Sequence, residues 1–127
     1  MGDRKILVID DSNYQRNKLR KLLENNGYEV ILAEDGVDGV YTFKKDSPDL
    51  VIMDINMPYM EGLEALVFIK RIDRNAIVIM FSTLDDEKVI MNAVKAGARD
   101  YVVKPLDERN MLETIGKYLK TGERMKS

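Results

Sequence analysis

Four stretches carry residue types that could do chemistry together: Asp10-Asp11, Asp54, Ser82-Thr83 and Lys104-Pro105. Each follows a short apolar run rich in Val and Ile, so each stands where a buried strand would end. Three carboxylates gathered in one place repel one another and resist ionisation unless a cation or a proton relieves them. A divalent metal does so directly. Mg²⁺ suits a hard all-oxygen site of one or two carboxylates beside a phosphate, and Mn²⁺ is a substitute. A carboxylate next to such an ion can attack phosphorus and form an acyl phosphate. The Lys104 ammonium would then neutralise one phosphoryl oxygen while the Ser82 hydroxyl donates to another.

Taken singly, each residue has a plainer use. Asp at a strand end caps a helix or a turn, Ser82 caps the helix near Asp85, and Lys104 is a solvated charge. Pro105 alone marks a turn, one in which its peptide bond can be cis. Capping does not explain why the acids end the first and third strands while a hydroxyl and a lysine end the fourth and fifth.

The elements that must position these residues are legible as five apolar runs: 5–10, 28–32, 49–53, 76–81 and 99–103. Between them lie helical patterns. Residues 12–26 place Leu19, Leu22 and Leu23 on one face, with Gly27 as the stop. Val37, Val40, Tyr41 and Lys44 mark a second helix, and Leu63, Leu66, Val67 and Ile69 a third. Val89, Ile90, Ala93 and Val94 mark a fourth, closed by Gly97. Met111, Leu112, Ile115 and Leu119 mark a fifth, with Asp107 as its N-cap. Five strands alternating with five helices predict an α/β fold with a doubly wound five-stranded parallel sheet, whose ligands sit at the carboxyl ends of the strands. One domain over residues 1–120 and a polar tail over 121–127 are expected.

Composition narrows the chemistry. The 127 residues contain no His and no Cys, which removes imidazole and thiol nucleophiles, a Ser-His-Asp triad and the ordinary zinc and copper sites. A net charge of -2 gives no basic field for nucleic acid or an anionic membrane. No run approaches membrane-spanning length and no signal pattern is visible, so a cytoplasmic location is expected.

Four motifs now stand in order: Asp10-Asp11, DINMPYMEG from Asp54 to Gly62, Ser82, and AGARDYVVKP from Ala96 to Pro105. With them the chain resembles the receiver domain of bacterial two-component response regulators, from Lys5 to about Leu119. The resemblance implies a flavodoxin-like sheet of order 2-1-3-4-5, an order for which a member of this family is a standard example. It implies that Asp54 is the phosphoacceptor and that Mg²⁺ is held by Asp10, Asp11, Asp54 and the backbone carbonyl of Asn56. It further implies that Ser82 and Lys104 contact the phosphoryl group and that Tyr101 swings inward with Ser82 as a switch, although an aromatic in a strand is ordinarily packing alone. Asn56 and Leu84 stand where the family tunes dephosphorylation, and Pro58, Gly62 and Pro105 shape the turns around the site. Thr83 and Leu106 depart from the family's usual alanine and phenylalanine.

The implied phosphodonor is a sensor histidine kinase or a histidine phosphotransfer domain, since this chain has no histidine of its own. The chain ends soon after its fifth helix, so a stand-alone regulator acting on a partner protein is expected. Asp10-Asp11-Ser12 with Arg16 is similar to chemotaxis regulators, whose partner is the flagellar motor switch. A phosphorelay intermediate and a receiver cut from a larger transcriptional regulator are the competing outputs. A Mg²⁺-dependent phosphohydrolase with an aspartyl nucleophile would want Asp at position 56, where Asn56 stands. For a flavin carrier, Asp10-Asp11 would repel the cofactor's phosphate. An EF-hand loop starting at Asp54 would put Pro58 at a ligand position. The expected protein is thus a phosphoacceptor that catalyses only its own phosphorylation and dephosphorylation.

Overall fold

The computed structural model describes residues 4–119; the polar tail expected over 121–127 lies outside them. Strands and helices alternate strictly: β1 Lys5–Ile9, α1 Asn13–Glu24, β2 Glu29–Ala33, α2 Gly36–Asp46, β3 Leu50–Met53, α3 Gly62–Ile72, β4 Val78–Ser82, α4 Glu87–Lys95, β5 Asp100–Val103 and α5 Glu108–Tyr118. All strand pairings are parallel, in the order β2-β1-β3-β4-β5.

The sheet separates two apolar layers because successive side chains of a strand point to opposite faces. Ile6, Val8, Ile52 and Phe81 pack with Leu19 and Leu23 of α1 and with Met111 and Ile115 of α5. Leu7, Ile9, Met53 and Met80 pack on the other side with Phe43 of α2, Leu66 and Ile69 of α3, and Ala93 of α4. Each large apolar side chain so buried contributes roughly 1.5–3 kcal/mol. β1, β3 and β4 are covered on both faces, which is why their sequences are continuously apolar rather than alternating.

The helices begin where the sequence offers caps. Ser12 accepts from the Gln15 amide, Asp35 from Asp38, and Asp107 from Asn110, each cap worth about 1 kcal/mol. The fourth helix is capped by Asp86, whose carboxylate accepts from the Lys88 amide; Ser82 does not cap it. Strand limits shift by a residue or two from the sequence expectation. The largest consequence is at β4, which includes Ser82 because Ser82 pairs with Val103 of β5.

The second helix forms where expected but buries a different face. Val37 and Tyr41 are half or more exposed, at 50% and 64%, while Gly36, Gly39, Thr42 and Phe43 face inward. A Cβ at Gly39 would come within 2.5 Å of Ile9, and one at Gly36 within 2.2 Å of the Met60 carbonyl. The helix lies against β1 and the loop after β3 on its glycines, a contact that hydropathy does not record. Among the described residues, no helix is long and apolar enough to cross a membrane.

Candidate functional site

Because β1 lies beside β3, Asp10 and Asp54 leave the sheet as neighbours, as the pairing of Ile9 with Met53 requires. One oxygen from each of Asp10, Asp11 and Asp54 falls within 4.8 Å of the others. Asp10 and Asp54 are buried and Asp11 is exposed, so the cluster opens to solvent on one side. Lys104 reaches in from the end of β5: its Nζ is 2.9 Å from Asp10 Oδ2 and 3.5 Å from Asp54 Oδ2. Three carboxylates and one ammonium leave two negative charges, the deficit that a divalent cation matches.

Hydrogen bonds fix two of the acids. Asp10 Oδ1 accepts from the Ser12 amide at 2.9 Å, and Asp54 Oδ1 accepts from the Ile55 amide at 2.8 Å. Asp10 thus has the use of a turn residue, while Ser12 is the helix cap, and Oδ2 of both Asp10 and Asp54 is left turned to Lys104. Burial raises the Asp54 pKa above its ordinary value, opposed by Lys104 and reinforced by the Asp10 charge. A second cation would relieve both effects, so the donor set, all oxygen and short of positive charge, fits Mg²⁺.

Ser82 is buried at the tip of β4, and its hydroxyl accepts from the Leu84 amide at 3.2 Å. Tyr101 donates its hydroxyl to the Leu84 carbonyl at 2.6 Å, so both ends of residue 84 are tied, one to Ser82 and one to Tyr101. Burial also raises the Tyr101 pKa, keeping this phenol a donor. The Lys104 amide donates to the Ser82 carbonyl at 2.8 Å, and the Lys104–Pro105 bond is cis.

The loop after Asp54 carries the remaining residues. Asn56 is exposed two positions beyond Asp54. Pro58 accepts from the Met60 amide at 2.7 Å across Tyr59, whose φ of 69° is a left-handed value that costs a bulky residue about 1–3 kcal/mol. Gly62 is not in the turn but is the first residue of α3, where its amide donates to the Ile55 carbonyl at 2.7 Å. A Cβ there would lie 2.1 Å from the Asp54 carbonyl oxygen. The structure thus brings Asp10, Asp11, Asp54, Ser82, Tyr101 and Lys104 to one edge, with Asn56 and Leu84 on the flanking loops.

The model of the response regulator receiver domain matches residues 6–116. The chain belongs to this family. Among similar receivers, the chemotaxis protein CheY of Bacillus subtilis (strain 168) is 43% identical over 116 residues, covering 91% of this chain and 97% of the relative. Chemotaxis protein CheY of Treponema pallidum (strain Nichols) is 45% identical over 119 residues, covering 91% of this chain and 83% of the relative. A solved CheX-CheY-BeF3-Mg²⁺ complex from Borrelia burgdorferi contains a chain that superposes with a TM-score of 0.88 at 33% identity, covering 90% of this chain and 87% of that one. As a receiver, the chain is a phosphoacceptor signalling protein, and the flavodoxin-like order expected from the motifs is the one observed.

One contributor was visible in the sequence only as part of a motif. Arg16 is buried on the apolar face of α1, and its guanidinium donates to the Asp10 carbonyl and to Asn13 Oδ1. An arginine in register with Leu19 and Leu23 was the available signal.

Proposed function

We propose that Asp54 accepts the phosphoryl group in a Mg²⁺-dependent reaction and that the modification resets a protein-binding surface in a chemotaxis-type pathway. The observation that carries this reading is the cluster itself: an open, buried-edge carboxylate flanked by two others within 4.8 Å and by an ammonium at 3.5 Å. Asp10, Asp11, Asp54 and the Asn56 carbonyl would hold Mg²⁺. When bound, the ion supplies positive charge to the phosphoryl oxygens and offsets the carboxylates.

The chain's own residues do the rest. Asp54 Oδ2 attacks phosphorus, the P–N bond of the donor phosphohistidine breaks, and the departing imidazole takes a proton. Lys104, already 3.5 Å from that oxygen, stabilises the added charge, and Ser82 donates to a phosphoryl oxygen once its hydroxyl turns from Leu84. That turn removes one of the two bonds on residue 84, which loosens the other, to Tyr101. The site is thereby linked to α4 and β5, where Met91, Val94 and Val103 expose apolar surface of 51%, 56% and 40%. This face would change partner affinity on phosphorylation.

A sensor histidine kinase or histidine phosphotransfer domain is the donor in this reading, and a flagellar motor switch protein is the downstream partner. Two relatives named as chemotaxis proteins, at 43% and 45% identity, support that pathway and a cytoplasmic location. Residues 1–120 would act as one receiver unit that catalyses only its own phosphorylation and dephosphorylation. Intact-mass measurement after acetyl phosphate and Mg²⁺ tests the site: wild type gains one phosphate and Asp54→Asn gains none. Stable phosphate gain by Asp54→Asn would place the acceptor elsewhere.

A further inference from the structure

Position 16 is on the face of α1 that also carries Leu19, Leu22 and Leu23, all buried. An apolar residue would serve packing there. Instead a guanidinium is only 8% exposed, and among the described residues no carboxylate pairs with it. Burying an unpaired cation is costly, so its polar partners must matter. They are the Asp10 carbonyl and Asn13 Oδ1, the two ends of the β1–α1 turn.

That turn sets the aim of Asp11. The Asp10 side chain is held from outside the turn by Lys104 as well as by the Ser12 amide. The Asp11 carboxylate, among the described residues, makes no hydrogen bond or ion pair; its direction comes from the backbone alone. Besides the Ser12 cap on the Gln15 amide, a guanidinium fork spanning residues 10 and 13 fixes that backbone from the side of the helix.

We infer that Arg16 is a positioning residue for the metal site: its guanidinium clamps the β1–α1 turn so that Asp10 and Asp11 are preset for a divalent cation. This rests on the assignment of Mg²⁺ to Asp10, Asp11 and Asp54 above. Arg16 touches none of the reacting atoms, and its two bonds need a planar fork rather than a single positive charge. Arg16→Lys is therefore the informative change, because it keeps the charge and the alkyl stem and gives up the fork. Residues that orient metal ligands typically contribute about 10-fold or more to metal affinity.

The experiment measures the Mg²⁺ dissociation constant by calorimetry for the full chain as wild type, Arg16→Lys, Asn13→Ala and Asp11→Ala, with phosphorylation by acetyl phosphate followed across Mg²⁺ concentration. Arg16→Lys should weaken Mg²⁺ binding about 10-fold, and Asn13→Ala should shift it the same way by less. At saturating Mg²⁺ the phosphorylation rate of Arg16→Lys should return to within about twofold of wild type, since Asp54, Ser82 and Lys104 are untouched. A residue that only packs the helix would lower the melting temperature and leave the Mg²⁺ midpoint where it was; that result overturns the inference. Undetectable Mg²⁺ binding by wild type, or wild-type affinity in Asp11→Ala, would overturn the metal assignment itself, and this inference with it.

Discussion

Replacing Gly62 with alanine should damage the protein in two separable ways. The new Cβ would stand 2.1 Å from the Asp54 carbonyl oxygen, 2.8 Å from Ile55 Cα and 2.9 Å from the Asp54 carbonyl carbon, all backbone atoms that no rotamer change can move. Ordinary contact requires α3 and the loop to part by about 1 Å, which also stretches the 2.7 Å bond from the Gly62 amide to the Ile55 carbonyl. Overpacking costs about 1–3 kcal/mol and the weakened hydrogen bond about 1 kcal/mol more. For a chain of 127 residues, a loss of about 2–4 kcal/mol lowers the melting temperature by about 8–15 °C. The same displacement moves the phosphoacceptor, and a misplacement of about 1 Å in a reacting group can cost about 100-fold in rate. Gly116 is the control: a Cβ there meets nothing within 4 Å, so alanine in the last turn of α5 should stabilise by up to about 0.5–1 kcal/mol. Urea melts and acetyl phosphate kinetics on both variants read the two effects. A Gly62→Ala protein that melts with wild type and is phosphorylated at the wild-type rate would refute the close approach.

Metal-free Asp54→Asn should be more stable than wild type near pH 7, because burial and Asp10 disfavour the ionised carboxylate. On acidification the folded state takes up a proton at the raised pKa, before the unfolded chain does so near 3.8, so wild type gains on the variant and the difference closes below that value. Urea melts at several pH values check this, and a gap that widens as pH falls would contradict it. Mg²⁺ at ten times its dissociation constant should stabilise wild type by about 1.4 kcal/mol and Asp11→Ala much less, read as a shift in melting temperature; equal shifts would mean that the acids do not form the site. Leu84→Glu should shorten the phosphoryl lifetime, since a carboxylate at that position can orient a water and leucine cannot. Equal lifetimes in the two proteins would remove that role for residue 84.

Much of the fold was legible because a buried parallel strand has a distinctive local form. Continuous apolar runs such as LVIM over residues 50–53, each followed by a polar residue, marked the strands within a residue or two and put the functional groups at their carboxyl ends. Helix periodicity placed all five helices, and Asp107 capped the fifth as expected. The face of α2 was not legible. Hydropathy assigns no value to a missing side chain, yet Gly36 and Gly39 are what let that helix approach Met60 and Ile9. The same blindness hid Gly62, which reads as a turn residue in sequence and acts as a contact surface in the fold.

By itself the sequence determined the chemistry on offer: all-oxygen ligands, one well-placed lysine, and no imidazole or thiol. It also determined the alternation of strands and helices, because that is written in periods of a few residues. Tertiary structure alone decided which strand ends became neighbours. Lys104 and Asp10 are 94 positions apart in sequence, yet Lys104 Nζ is in contact with Asp10 Oδ2 at 2.9 Å, a meeting set by the insertion of β1 between β2 and β3 and by parallel crossovers that bring every strand's carboxyl end to one edge. It decided, too, that Asp54 would be buried beside Asp10 and so resist ionisation, since desolvation and like-charge repulsion depend on distances through space that no local pattern encodes.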